Sequence, residues 1–379
     1  MAKSGTAAAF GAAGITTVFS PGALADLALN MSPGVTTISQ QQYDLHMLVL
    51  WICVVIGLVV FGAMIYSIVN HRRSKNPKPA QFHESTTVEV LWTVIPFLIL
   101  VGVAVPATKT LLALEDTSDS DVTVQITGYQ WKWKYDYLDD DISFFSNLSQ
   151  SSRDAIRANP EEVENYLLDV DNPLVLPTNK KVRFVMTSND VIHAWWVPAI
   201  GVKQDTIPGF INDSWAFIEE PGVYRGQCAE LCGKDHGFMP IVVIAKPEEE
   251  YNQWVADQKA AAAAALASAD REWSMDELME KGKQVYGASC AACHGANGEG
   301  VQGVFPAIAG SELSTGPIDA HVDIVLNGKE GTAMQAFGPQ LNDVELAAVV
   351  TYERNAFGND VGDLVQPKEI AATRQMAAK

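Results

Sequence analysis

The chain has 379 residues, of which 48% are hydrophobic and 19% charged, and a formal net charge of −19 at pH 7. That length accommodates two or three compact domains, and the acidic balance excludes nucleic acid as a partner while favouring basic proteins. Four of the five cysteines fall into two close pairs with a histidine nearby, a pattern of metal or haem chemistry and not of a disulfide framework.

The N-terminus reads as an export signal. Lys3 is followed by an apolar, small-residue stretch from Ala7 to Phe19 and by Ala23-Leu24-Ala25, a small-residue cleavage site. Residues 1–25 are therefore expected to be removed; an unstructured cytoplasmic tail is the competing reading. Two stretches, about 45–69 and 88–113, are apolar enough to span a bilayer, which takes about 20 helical residues. His71, Arg72, Arg73, Lys75 and Lys78 lie between them. The positive-inside rule puts that loop in the cytoplasm and both chain ends on the outer face. Residues 26–118 are thus expected to form a transmembrane hairpin.

Residues 119–247 change character. Val122-Thr-Val-Gln-Ile-Thr, Lys181-Val-Arg-Phe-Val-Met and Ile241-Val-Val-Ile-Ala read as short strands, with Pro208-Gly209 and Pro221-Gly222 as turns. The pattern suggests a small antiparallel barrel or sandwich, interrupted by a polar surface insertion from Ser146 to Tyr166. Residues 248–274 read as a linker, acidic at first and then alanine-rich from Ala260 to Ala265; alanine's helix propensity makes a semi-rigid helix the expected form. Residues 275–358 read as an all-α domain of short helices and glycine-rich loops, and 359–379 as a frayed tail.

The densest chemical cluster is Cys228-Ala-Glu-Leu-Cys232-Gly-Lys-Asp-His236-Gly-Phe-Met239, with His193 at the end of an earlier strand region. Thiolate and thioether ligands beside imidazole suit copper. A disulfide between Cys228 and Cys232 leaves both histidines and Met239 without a reason. A single copper needs one cysteine; the second allows two thiolates to bridge two copper ions. Zinc also accepts Cys2His2, but the methionine and the strand-rich setting weigh against it. Further on, Cys290-Ala-Ala-Cys293-His294 is the C-x-x-C-H signature of covalent haem c attachment: two thiols on one helical turn meet the two vinyl groups and the adjacent histidine faces the iron.

From about Gln41 to Lys246 the chain resembles subunit II of the haem–copper oxidases. The resemblance rests on Glu89-Val-Leu-Trp92-Thr-Val-Ile-Pro96, Gly128-Tyr-Gln-Trp131-Lys-Trp133-Lys-Tyr135, Val170-Asp-Asn-Pro-Leu-Val-Leu-Pro177 and the two copper segments. It implies a multidomain chain with a two-helix hairpin, a cupredoxin-like Greek-key barrel and a binuclear CuA centre. His193, Cys228, Cys232, His236 and Met239 would ligate through side chains and Glu230 through its carbonyl. It further implies a magnesium ion on the Glu230 carboxylate at the interface with subunit I. Trp131 would be where electrons arrive, with Trp133 the rival, and Glu89 would stand at the mouth of a proton path, although a helix N-terminal acid is also stabilised by the macrodipole.

From about Glu277 to Phe357 the chain resembles a class I cytochrome c. Gly282, Tyr286 and Tyr352 fit that family's packed helix pair, and Met334 in Gly331-Thr-Ala-Met334-Gln-Ala-Phe is the implied sixth iron ligand. Gln335 stands where that family often has proline. Met279, Met376 and His321 are the rivals for the sixth position. The two resemblances together imply a respiratory cytochrome c oxidase subunit. Electrons would run from an external cytochrome c or similar donor to the haem, to CuA, and to subunit I, where oxygen is reduced with proton pumping; subunit III is a further implied partner. The implied location is the bacterial inner membrane, with both redox domains on the periplasmic face. A CuA-containing nitric oxide reductase is the alternative; a quinol oxidase subunit, which lacks the copper, is opposed by Cys228, Cys232 and His236.

Overall fold

The structure, a computed structural model, describes residues 30–78, 81–156 and 158–377, with the side chains of Met376 and Ala377 also left out. The expected export signal and its cleavage site lie outside the described residues. Helices α1 (Thr37–Asn70) and α2 (Thr86–Glu115) form the hairpin, and their apolar side chains face outward, as a bilayer requires. At 34 residues α1 is roughly 50 Å long, more than a hydrocarbon core of about 30 Å needs. Its first turn stands clear and is capped by a reciprocal pair: Ser39 N donates to Thr36 Oγ1 (3.0 Å) and Thr36 N to Ser39 Oγ (2.9 Å). The same turn docks the strand domain, for Thr36 Oγ1 donates to Ile200 O and Val35 N to Ala199 O. Near the other end of the hairpin's second helix, Trp215 Nε1 donates to Ala113 O (3.1 Å). Both membrane helices thus hold the strand domain in place.

That domain comprises β1 (Val122–Tyr129), β2 (Lys132–Tyr137), β3 (Ile142–Ser146), a short helix α3 (Gln150–Ala155), β4 (Leu174–Pro177), β5 (Lys181–Ser188), β6 (His193–Val197), β7 (Val202–Thr206), β8 (Asn212–Phe217), β9 (Gly222–Cys228) and β10 (Pro240–Lys246). The strands form two five-stranded sheets, ordered β3-β2-β1-β5-β8 and β4-β10-β9-β6-β7. In β5 the alternation puts Val182, Phe184 and Met186 inside. They meet Trp133, Tyr135 and Trp195 in a core between the sheets. Most pairings are antiparallel, as expected of the barrel or sandwich, but β1 pairs with β5 and β4 with β10 in parallel. The reason is topological: the chain changes sheet between β3 and β4, β4 and β5, β5 and β6, β7 and β8, and β8 and β9, so neither parallel pair is joined by a hairpin. Tyr137 staples the two sheets together; its hydroxyl donates to Val175 O (2.7 Å) and accepts from Val175 N (3.0 Å).

Helix α4 (Glu248–Ala269) occupies the linker region. Its first turns are fastened: Tyr251 and Val255 are buried, Trp254 packs on Tyr137 (5.2 Å between centroids), and Lys259 pairs with Asp140 at 2.8 Å. Its alanine turns are exposed. The helical domain follows, with α5 (Met275–Ser289), α6 (Ala291–His294), α7 (Glu312–Thr315), α8 (Ile318–Asn327), α9 (Asp343–Asn355) and α10 (Pro367–Ala377). Helices α5 and α9 each start with a capping box, Ser274/Glu277 and Asn342/Glu345, and cross at Gly282. The expected frayed tail is also corrected. Val365 and Ile370 bury themselves in the domain core, and Arg374 Nε pairs with Asp343 at 2.6 Å while its guanidinium also serves the Gly338 and Leu341 carbonyls.

Candidate metal centre

Strand β6 begins with His193, β9 ends with Cys228, and the two pair side by side in the second sheet. The loop leaving β9 then folds back under them, carrying Cys232, His236 and Met239 into β10. Cys228 Sγ and Cys232 Sγ lie 3.8 Å apart, far beyond an S–S bond of about 2.05 Å. Each thiol has its own imidazole. His193 Nδ1 is 4.0 Å from Cys228 Sγ, and His236 Nδ1 is 3.5 Å from Cys232 Sγ. Met239 Sδ sits 3.5 Å from Cys232 Sγ, and the Glu230 carbonyl oxygen 3.3 Å from Cys228 Sγ. The two sulfurs are thus flanked by one imidazole and one weak donor on each side. All six residues named in the sequence analysis meet in one place, with His193, Cys228, Cys232 and Met239 buried.

The hydrogen bond between the two thiols, with His193 beside them, holds the Cys228 thiol below the usual thiol range. A cation that needs both sulfurs as thiolates displaces the remaining proton. Nδ1 of His193 is turned to the sulfurs because Nε2 is taken: it donates to Asp190 Oδ1 at 2.9 Å. Asp190 escaped the reading of the sequence, although its place three residues before His193 was a signal. Gln130 Nε2 and Trp131 Nε1 both donate to Cys232 O, at 2.9 and 3.1 Å, and Trp133 Nε1 donates to Met239 O at 3.3 Å. Trp133 is fully buried and Trp131 half-buried, so of the two only Trp131 reaches the surface. Glu230's side chain is exposed. Glu89 is exposed in the first turn of α2, at the end of that helix away from Ala113, and is not brought to the sulfur cluster.

In the helical domain Cys290 is buried at the end of α5, Cys293 is half-buried, and burial pushes both thiols up. His294 closes α6, and its Nδ1 donates to Pro306 O at 2.8 Å, which leaves Nε2 as the ring's lone-pair nitrogen. Met334 packs on the cluster that contains Cys290, Ile308 and Phe337. His321 is buried and its Nε2 is held by Glu353 at 2.9 Å, which commits that nitrogen to an internal pair. Met279 lies half-buried on α5, and the Met376 side chain lies outside the described residues.

Residues 25–110 match a family model described as cytochrome c oxidase subunit II, transmembrane domain, and residues 122–246 match the periplasmic domain of the same subunit. Residues 277–352 match cytochrome c oxidase, cbb3-type, subunit III. Among curated relatives, a probable cytochrome c oxidase subunit 2 of Rickettsia bellii is 39% identical over 62% of this chain and 86% of that protein. The cytochrome c oxidase subunit 2 of Cereibacter sphaeroides is 36% identical over 59% of this chain and 78% of that one. The crystal structure of the periplasmic domain of subunit II of cytochrome oxidase (CoxB) of Bradyrhizobium japonicum is 40% identical, covering 38% of this chain and 98% of that chain with a TM-score of 0.35. With two membrane helices, a two-sheet domain built around paired thiols and a cytochrome c domain behind them, the chain belongs to the cytochrome c oxidase subunit II family.

Proposed function

We propose that the chain is the electron-accepting subunit of a respiratory oxidase. It takes electrons from an external one-electron donor at a haem on Cys290, Cys293, His294 and Met334. It passes them to a copper pair held by His193, Cys228, Glu230, Cys232, His236 and Met239, and on to subunit I, where oxygen is reduced to water with proton pumping. Family membership implies CuA copper, and the cytochrome match implies haem c. The residues fit both groups: two thiols, two imidazoles, a thioether and a carbonyl oxygen whose neighbouring atoms lie 3.3–4.0 Å apart for copper, and two thiols beside a histidine whose Nδ1 is held by a carbonyl, leaving Nε2 for iron. When bound, these groups supply one-electron carriers that break no covalent bond.

The chain's own residues do the rest. Asp190 orients His193, the fold of the β9–β10 loop brings Cys232 against Cys228, and the core around Trp133, Tyr135 and Trp195 keeps the site dry and rigid. Rigidity favours fast transfer because the ligands hardly move when the charge changes. Trp131, hydrogen-bonded to the copper loop and reaching the surface, is the residue through which electrons arrive at this domain. The Glu230 carboxylate binds a magnesium ion shared with subunit I, and Glu89 stands at the mouth of a proton path into that subunit. The chain sits as a multi-pass protein in the bacterial inner membrane, its redox domains periplasmic, beside subunits I and III.

One observation carries this reading: two thiols 3.8 Å apart, each with its own imidazole. Metal analysis and electron paramagnetic resonance of the purified complex test it. Cys228→Ser is expected to abolish the two-copper signal, while haem stays on the chain in a denaturing gel. Unchanged copper content and spectrum in that variant would sink the assignment.

A further inference from the structure

The helical domain does not hang free of the strand domain, and the segments that touch are those that flank the two redox sites. Gln335, next to Met334, donates from Nε2 to Asp190 Oδ2 at 3.0 Å. The other oxygen of that carboxylate, Oδ1, accepts from His193 Nε2 at 2.9 Å. Two backbone donors complete the set: Gln130 N to Oδ2 and Val191 N to Oδ1, both at 2.7 Å. Asp190 is 16% exposed, so its charge is balanced by these four donors, one of which comes from the other domain. The amide of Gln335 is oriented for the contact because Gln340 Nε2 donates to its Oε1 at 3.3 Å.

Two flanking contacts seat the same face. Lys132 is buried, with its Nζ 4.7 Å from the Phe145 centroid in the strand domain and 5.2 Å from the Phe337 centroid in the helical domain. On the other side Lys234, two residues after Cys232, donates to Ala292 O at 3.0 Å, between the two haem cysteines. The haem-attachment segment and the Met334 loop therefore both rest on residues adjacent to copper ligands.

We propose that Gln335, Asp190 and His193 form a hydrogen-bonded relay across the domain boundary that docks the cytochrome on the copper site and fixes the separation of the two carriers. Gln335 acts as a positioning residue. This rests on the reading that His193 holds copper and Met334 iron. A proline at position 335 has no donor to offer and makes no such contact, so the glutamine gives this chain an internal lock. With the lock closed, the copper site takes its electrons from its own haem, and the external donor meets the haem domain.

The test uses the intact complex with Gln335→Leu, Gln335→Glu and Gln335→Lys, each assayed first for copper and haem content. Haem-to-copper electron transfer is followed optically after rapid reduction, and hydrogen exchange of the segment around Asp190 is read alongside it. Removing the donor, or setting a carboxylate against Asp190, is expected to slow transfer about tenfold or more and raise exchange near Asp190. Lysine keeps a donor to the carboxylate and is expected to stay within about twofold of the parent. If Gln335→Glu fails to load haem, Gln335→Leu carries the same test. Parental rate and exchange in a loaded Gln335→Leu or Gln335→Glu would overturn the relay. Absence of copper or haem from the parent complex would instead overturn the functional reading.

Discussion

Gly128→Ala tests how tightly the packing around His193 holds the copper site. A Cβ at Gly128 would lie 2.7 Å from His193 Cδ2, 2.9 Å from Thr206 Oγ1 and 3.1 Å from His193 Cγ. An ordinary carbon–carbon contact is about 3.5–4.0 Å, so something must move by close to 1 Å. Strand β1 resists, because Gly128 is paired with Trp133 on one side and Ser188 on the other. The imidazole is the part that yields. It is fully buried, pinned at Nε2 by Asp190 and edged by Trp133 at 5.9 Å, so it turns and carries Nδ1 away from Cys228. Overpacking of this kind costs about 1–3 kcal/mol. Disturbing the shell around a metal ligand weakens metal affinity about 10–100-fold. Copper retention against a graded chelator, read with the near-infrared and paramagnetic spectra, measures the effect. Gly237→Ala is the control: it lies in the β9–β10 loop, beside His236, and its Cβ meets nothing within 4 Å. Parental copper retention and spectra in Gly128→Ala would refute the argument that the ring has no room.

Two further changes probe the scaffold. Gly282→Ala would place a Cβ 2.1 Å from Ala348 O and 2.6 Å from Tyr352 Cβ. A helix interior gains about 1 kcal/mol from alanine over glycine, but backbone cannot yield at that distance, so α5 and α9 must separate and haem retention and thermal stability of the cytochrome domain are expected to fall. Tyr137→Phe leaves the Val175 N–H and carbonyl without the hydroxyl that joins the sheets, with an expected loss of about 1–3 kcal/mol; an unshifted melting transition of the copper signal would contradict it.

Much of the site was legible because it is local. Cys228, Cys232, His236 and Met239 occupy one loop, and Cys290, Cys293 and His294 one helical turn, so spacing alone announced them. His193 was legible by its residue type beside a strand. Asp190 carried only the local signal of standing three residues before His193, and Gln335 carried none, because its contact with Asp190 is a meeting across 145 positions that no spacing encodes. Gly128 was legible only as part of an aromatic motif, since its lack of a side chain matters through a histidine from another strand. The fold shows the same division. The membrane spans and strands follow from hydropathy and alternation, whereas the parallel pairings arise from sheet changes that leave no local mark. The C-terminal helix was missed because its polar surface hides two inward residues, Val365 before it and Ile370 within it, and an arginine that serves other segments' carbonyls.

The order in which the two carriers fill distinguishes entry at the haem from entry at copper. The purified complex is mixed rapidly with a reduced basic cytochrome, with its oxygen site blocked, and the haem and copper bands are followed together. Reduction of the haem first, then of copper at the haem's expense, is the expected course. Copper filling before the haem, or a haem that stays oxidised while copper is reduced, would contradict the account.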